Sequence, residues 1–170
     1  DLFCRNSAAM KTATTPMLKA ILRYFGKNQH CGFERSIGMA TSRVTVHFPC
    51  PVERVWQVVT DLSHIAWRSD LTQVEVLDET HFVEHTKSGY ATNFTVTACE
   101  PLRHWAFTME NGNMSGSWEG IFEAAEGGGT QLHCTETVHA KHWWMRPFVP
   151  GYLKRQQKLY LDDLRKELLK

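Results

Sequence analysis

Between Leu71 and Ala140 the sequence alternates apolar and polar residues in six runs, and the breaks between them are only a few residues long. The runs are Leu71–Leu77, His81–Lys87, Tyr90–Cys99, Arg103–Met109, Ser115–Ala124 and Thr130–Ala140. A period of two marks a strand with one face buried and one face wet. Turn formers fill the breaks: Asp78-Glu79-Thr80, Ser88-Gly89, Glu100-Pro101, Asn111-Gly112-Asn113 and Gly127-Gly128-Gly129. The residues of Asn111-Gly112-Asn113 tolerate positive φ and suit a hairpin. A parallel pair needs a crossover of about a dozen residues or more, so these strands must pair antiparallel. The faces so defined carry Thr92, Phe94, Val96 and Ala98; then Trp105, Phe107 and Met109; then Trp118, Gly120 and Phe122; then Leu132, Cys134, Glu136 and Val138.

The period changes on both sides of this meander. From about Pro150 apolar residues recur at Leu153, Tyr160, Leu161, Leu164 and Leu168, the spacing of a long amphipathic helix. Its apolar stripe needs a partner, and the apolar face of the sheet is the one available. Upstream, Val44, Val46 and Phe48 alternate with Thr45 and His47 as a strand, which Pro49 and Pro51 end because neither can donate to a ladder. Pro51 suits the first turn of a helix. Val52, Val55, Trp56, Val59 and Leu62 then form a helical stripe, with Glu53, Arg54 and Gln57 on the wet side. Asp61 and Ser63 are cap-type residues and predict a second short helical turn up to Trp67.

The stretch from Val44 to Trp67 resembles the opening of the SRPBCC superfamily, the START-related and polyketide cyclase-like helix-grip proteins. Glu100-Pro101-Leu102-Arg103 and the Gly-Gly-Thr entry to the last strand are similar to the cyclase-like branch, and the resemblance runs from about Thr41 to Lys170. It implies an α+β helix-grip fold: a curved antiparallel sheet of about six or seven strands around a long C-terminal helix, with two short helices after the first strand. It also implies an apolar cavity between sheet and helix. Phe94, Trp105, Phe107, Trp118, Phe122, Leu132 and Glu136 would line that cavity. Trp67 would stand at its mouth, with Trp144, Phe148 and Tyr152 from the closing segment. Large aromatic rings can equally well fill such a space as plain core.

On this resemblance the expected function is binding of a small hydrophobic ligand, lipid-like or aromatic polyketide-like. The alternatives are a polyketide cyclase/dehydrase-type enzyme, and a protein-interaction or quinone-chaperone module. Glu136 bears on that choice. Its place in the alternation points it inward, where a carboxylate buried alone has a raised pKa and can act as a general acid or base; a paired one is structural. The sequence shows no obvious mate for it, which favours binding.

Other chemistries find little support. The nine histidines include His81 with His85 and His139 with His142, but no carboxylate or cysteine stands with them at ligand spacing, and surface or capping histidines are the reading. Gly127–Gly129 joins two strands and lacks the Lys-Ser/Thr of a phosphate loop. No metal or cofactor is expected. Nineteen Lys and Arg against eighteen Asp and Glu leave a net charge of +1, which gives no ground for a nucleic-acid partner or an anionic membrane. No apolar run is long enough for a transmembrane segment. The five cysteines are scattered, without a Cys-x-x-Cys pair, and read as reduced thiols of a cytoplasmic protein.

Residues 1–40 read as an N-terminal extension containing one helix, with residues 41–170 as the domain. Thr14 or Thr15 caps that helix, Pro16 opens it, Met17, Leu18, Ile21, Leu22 and Phe25 form its apolar side, and Gly26 stops it. Lys11, Lys19, Arg23 and Lys27 make it basic, so a mitochondrial targeting segment stays open beside a docked extra helix.

Overall fold

The computed structural model describes residues 31–36 and 39–170; the expected N-terminal helix lies outside them. Strands β1 (Cys31–Ser36) and β2 (Met39–Phe48) lead to helix α1 (Val52–Thr60). The meander follows as β3 (Leu71–Val76), β4 (His81–Thr86), β5 (Ala91–Glu100), β6 (His104–Glu110), β7 (Met114–Ala124) and β8 (Thr130–Ala140). A 3₁₀ helix (Trp143–Phe148) then opens into α2 (Val149–Leu168). All pairs are antiparallel, in the order β1-β2-β8-β7-β6-β5-β4-β3. The helix-grip architecture expected from the sequence is therefore present, with seven strands from Met39 onward and β1 as an added edge.

The sheet curls because its strands are long, twisted and interrupted. Register shifts lie between Val96 and Ala98 in β5 and between Leu71 and Gln73 in β3, and an extra residue of this kind bends a strand and increases its twist. Into the concave face go alternate residues of β2 and β8, from Ala40, Val44, Val46 and Phe48 to Leu132, Cys134 and Val138. Helix α2 lies across that face against β2, β8 and α1. It buries Leu153, Tyr160, Leu161 and Leu164 of the stripe read from its period, together with Val149, Gln157, Asp163 and Glu167, while Leu168 at its end is half-buried. Trp56 of α1 meets Phe122 edge-on, ring centroids 5.0 Å apart, so α1 also packs on the sheet's inner side.

Two expectations are corrected. No second short helix forms after α1. Instead the Asp61 carboxylate accepts hydrogen bonds from the Ser63 amide and hydroxyl at 2.9 and 2.6 Å, and the Arg68 amide closes a single turn on the Ile65 carbonyl. These local side-chain bonds compete with a helical ladder, the usual behaviour of Asp and Ser just past a helix. The cysteines are not all reduced: Cys50 and Cys134 are free, but Cys99 is disulfide-bonded. Burial, with the charge of Glu136 adding to it, pushes the Cys134 thiol well above its ordinary range and makes it unreactive.

The Asn111 turn has its own reason. Among the described residues positive φ occurs at Leu102, Gly89, Gly127 and Gly128, and not in this hairpin. The Asn111 side chain makes the turn, its Oδ1 accepting from the amides of Asn113 and Met114 at 2.9 and 3.0 Å.

Strand β2 pairs with β8 along its whole length on the side away from β1. Deleting residues 1–38 is therefore expected to leave a domain with a single cooperative thermal transition. Loss of cooperativity in calorimetry would place those residues in the core.

Candidate functional site: a cavity at the open end of the sheet

The inner face of the meander is closed by rings. Trp118 stacks on Phe107, their centroids 5.2 Å apart and planes 9° apart. Phe107 meets Phe94 edge-on at 5.5 Å, and Phe94 stacks on Phe82 at 4.6 Å. One aromatic ladder thus runs across β7, β6, β5 and β4, and each of its rings is essentially fully buried. Gly120 makes room for it, since a Cβ there would collide with the Trp118 indole.

Beneath this ladder lies a charged cluster that the sequence reading passed over. Arg68 is buried and donates through Nε and Nη2 to Asp70 at 2.8 and 3.0 Å. Its Nη1 lies 3.7 Å from Glu84, an inward residue of β4. Its guanidinium sits over the Tyr160 ring at 5.3 Å and the Trp67 ring at 5.8 Å. Burial alone would lower the pKa of Arg68; the charges of Glu84 and Asp70 outweigh it and hold the pKa above its usual value. Asp163 of α2 accepts a 2.9 Å bond from the Ser69 amide, which ties this segment to the helix. The signal for Glu84 was available, because it alternates with Phe82. Arg68 and Asp70 lie in a stretch without period.

Glu136 does point inward, as its alternation requires, and it is not alone. Gln157 of α2 donates to its Oε2 at 3.2 Å, with both residues buried. The carboxylate is thereby fixed between sheet and helix.

An open space lies at the end of the sheet where β4 turns into β5, β6 turns into β7, and α2 begins. There a cavity of about 420 Å³ is lined by Met114, Val138, Ala140, Met145, Phe148, Val149 and Tyr152, with polar groups from Thr92, Asn111, Lys87, Asp70 and Gln156. Local chemistry shapes its walls. Gly89, at φ 84°, permits the tight turn that brings Lys87 and Tyr90 to the rim. The Lys87 amide donates to the Asp70 carbonyl, and Asn111 Nδ2 donates to Thr92 Oγ1 at 3.0 Å, so the ends of β3 and β4 and those of β5 and β6 are tied in pairs. The Oε1 of Gln156 is buried without a hydrogen-bond partner.

The structure divides the residues expected to line a cavity. Phe148 and Tyr152 line this one. Phe94, Trp105, Phe107, Trp118, Phe122, Leu132 and Glu136 are packed in the interior and do not, and Trp67 is buried against Tyr160 with ring centroids 5.3 Å apart. Trp144 is exposed beside the cavity's rim without contributing to its lining. Sequence reasoning missed Met114, Val138, Met145, Gln156 and the Lys87–Thr92 wall. Met114 and Val138 carried the signal, since both belong to inward faces at one end of their strands.

A curved antiparallel sheet closed on a long helix, with an apolar cavity at its open end, defines the START-like helix-grip class. Within it the chain belongs to the polyketide cyclase/dehydrase and lipid-transport family, whose sequence model matches residues 39–169. Among curated proteins no sequence matches the chain. Among solved structures it is similar to a conserved protein from Geobacillus kaustophilus, with 17% identity and a TM-score of 0.68 over 76% of this chain and 95% of that one. It is similar to a START superfamily protein from Mycobacterium smegmatis, with 12% identity and a TM-score of 0.65 over 75% and 96%. It is also similar to the Zhui aromatase/cyclase from Streptomyces sp. R1128, with 20% identity and a TM-score of 0.62 over 76% and 93%. At these identities the likeness shows the fold alone. Among the described residues no helix is long and apolar enough to cross a membrane.

Proposed function

We propose that the cavity at the open end of the sheet binds one small hydrophobic molecule. The observation that carries this reading is the space itself: about 420 Å³, walled mainly by apolar side chains and provided with a few polar groups. That volume falls within the range of sites that enclose small organic ligands. The apolar body of the ligand lies against Met114, Val138, Met145 and Val149. Its polar end meets Gln156, whose buried Oε1 accepts a hydrogen bond from a ligand hydroxyl or amide. The ammonium of Lys87 at the rim suits an acidic headgroup. The description of the family includes lipid transport, and the START superfamily neighbour shares the fold; both agree with this reading.

A cyclase-type reaction is the weaker reading. The inward carboxylates that could serve it are engaged, Asp70 with Arg68 and Glu136 with Gln157.

Titration with anilinonaphthalene sulfonate tests the proposal. One saturable site is expected, with quenching of tryptophan emission. Phe148→Ala and Tyr152→Ala should each weaken it by roughly tenfold, equivalent to about 1.4 kcal/mol. Phe148 is 70% exposed, so in that variant the free energy of unfolding should change little, by about 0.5 kcal/mol or less; Tyr152, at 42%, should cost somewhat more. Non-saturable binding, or full affinity in both variants, would overturn the reading. Native mass spectrometry of the purified protein would show any ligand it retains.

A further inference from the structure

The 3₁₀ helix before α2 buries none of its residues. Trp143 is 77% exposed, Phe148 70% and Trp144 57%, and across the cavity mouth Tyr90 is 53% exposed. Tyr152, one helical turn beyond Phe148, adds a fifth ring at 42%. Three of these rings, Tyr90, Phe148 and Tyr152, also line the cavity. Exposed aromatics on a soluble surface are ordinarily scattered, and a set gathered at one rim marks a contact surface.

Charge says what kind. Between Glu136 and Asp162 the chain carries no Asp or Glu, and it carries five Lys and Arg. Lys141 and Lys158 are taken up by Glu110 and Asp162. Lys154 and Arg155 stay exposed on the first turns of α2, with Arg155 on the same helical face as Tyr152, and Lys87 stands at the rim. The whole chain is nearly neutral, so this is a local cationic collar around an aromatic rim. Trp and Tyr prefer the headgroup level of a bilayer, where one end of the ring is apolar and the other wet, and Lys and Arg prefer anionic lipid.

We propose that this rim docks the cavity mouth onto an anionic lipid bilayer. Trp143, Trp144 and Phe148 sink to headgroup level, and Lys154, Arg155 and Lys87 sit against lipid phosphates and carboxylates. The attachment is interfacial, by side chains of one short segment, and reversible. It places the mouth of an apolar cavity against the phase that holds apolar molecules. The reading of the cavity supplies the reason for this placement, but the docking itself depends only on the rim.

Co-sedimentation with vesicles of phosphatidylcholine, with and without phosphatidylserine, tests the proposal. The protein should sediment with the mixed vesicles, shift its tryptophan emission to the blue, and be released by salt. Trp143→Ala should lower partitioning roughly tenfold. Lys154→Gln with Arg155→Gln should lower it roughly twenty-five-fold, at about fivefold per charge, and only on vesicles containing phosphatidylserine. Trp143 does not line the cavity, so Trp143→Ala should keep its affinity for anilinonaphthalene sulfonate in the absence of vesicles. If the wild-type protein fails to sediment, or both variants sediment as it does, the docking is overturned whatever the cavity binds. If instead Trp143→Ala abolishes self-association in size-exclusion chromatography and leaves vesicle binding intact, the rim is a protein contact and the proposal fails. Loss of the saturable probe site with sedimentation intact would remove the ligand reading and leave the docking standing.

Discussion

Trp118→Ala is expected to lower the free energy of unfolding by about 3–5 kcal/mol, the range for removing a large aromatic from a close-packed core. The ring is 1% exposed and stacks on Phe107, the cross-strand partner with which it shares register. Its removal also breaks the ladder from which Phe107, Phe94 and Phe82 take their positions, so the neighbours cannot simply close on the gap. The check is urea unfolding followed by circular dichroism, in parallel with probe titration. Because Trp118 does not line the cavity at the open end, the folded fraction should bind anilinonaphthalene sulfonate as the wild type does. A stable variant that has lost the probe site would show that the ring is a ligand wall after all.

Arg68→Met is the second large effect, again about 3–5 kcal/mol. The reason differs. Methionine replaces the volume acceptably, but Glu84, with 2% of its side chain exposed, and Asp70, with 14%, then lose their cation. A buried carboxylate left without its counter-charge must be desolvated at full cost or take up a proton. Adding Asp70→Asn and Glu84→Gln to the Arg68→Met variant should therefore recover a substantial part of the loss, which mere damage to packing would not allow. Arg68→Lys should fall between, since an ammonium keeps the charge and loses the paired bonds to Asp70. If the triple variant is no more stable than Arg68→Met, the cluster is not held by charge pairing. The anchor matters to the cavity as well, because Asp70 lies in its wall and its carbonyl accepts from the Lys87 amide.

The sequence by itself determined the elements and their order. A period of two interrupted by Gly, Asn, Asp and Pro delimits β3 to β8 to within a residue or so at most of their ends, because side-chain direction along a strand is set by the backbone alone. The switch of period after Pro150 placed α2 for the same reason, and short turns left only antiparallel pairing. Inward faces were legible too, down to Glu136. The bend after α1 was not: Asp61 suits a helix cap and a side-chain-closed turn equally, and the surroundings choose between them.

Only the tertiary structure decided where the chain is solid and where it is hollow. Alternation states which face a ring occupies, and says nothing of whether the next ring stacks on it. Trp118, Phe107, Phe94 and Phe82 meet, stacked at the two ends of the row and edge-on in its middle, because the registers of β4 to β7 bring them to contact distance. That contact packs the four rings against one another, and the cavity described here lies at the strand ends, between the β4–β5 and β6–β7 hairpins. The meeting of Arg68, Asp70 and Glu84, and of Glu136 with Gln157, is of the same kind. Arg68, two residues from Asp70, reaches Glu84 only because β4 pairs beside β3, and Glu136 reaches Gln157 only because the helix folds onto the sheet.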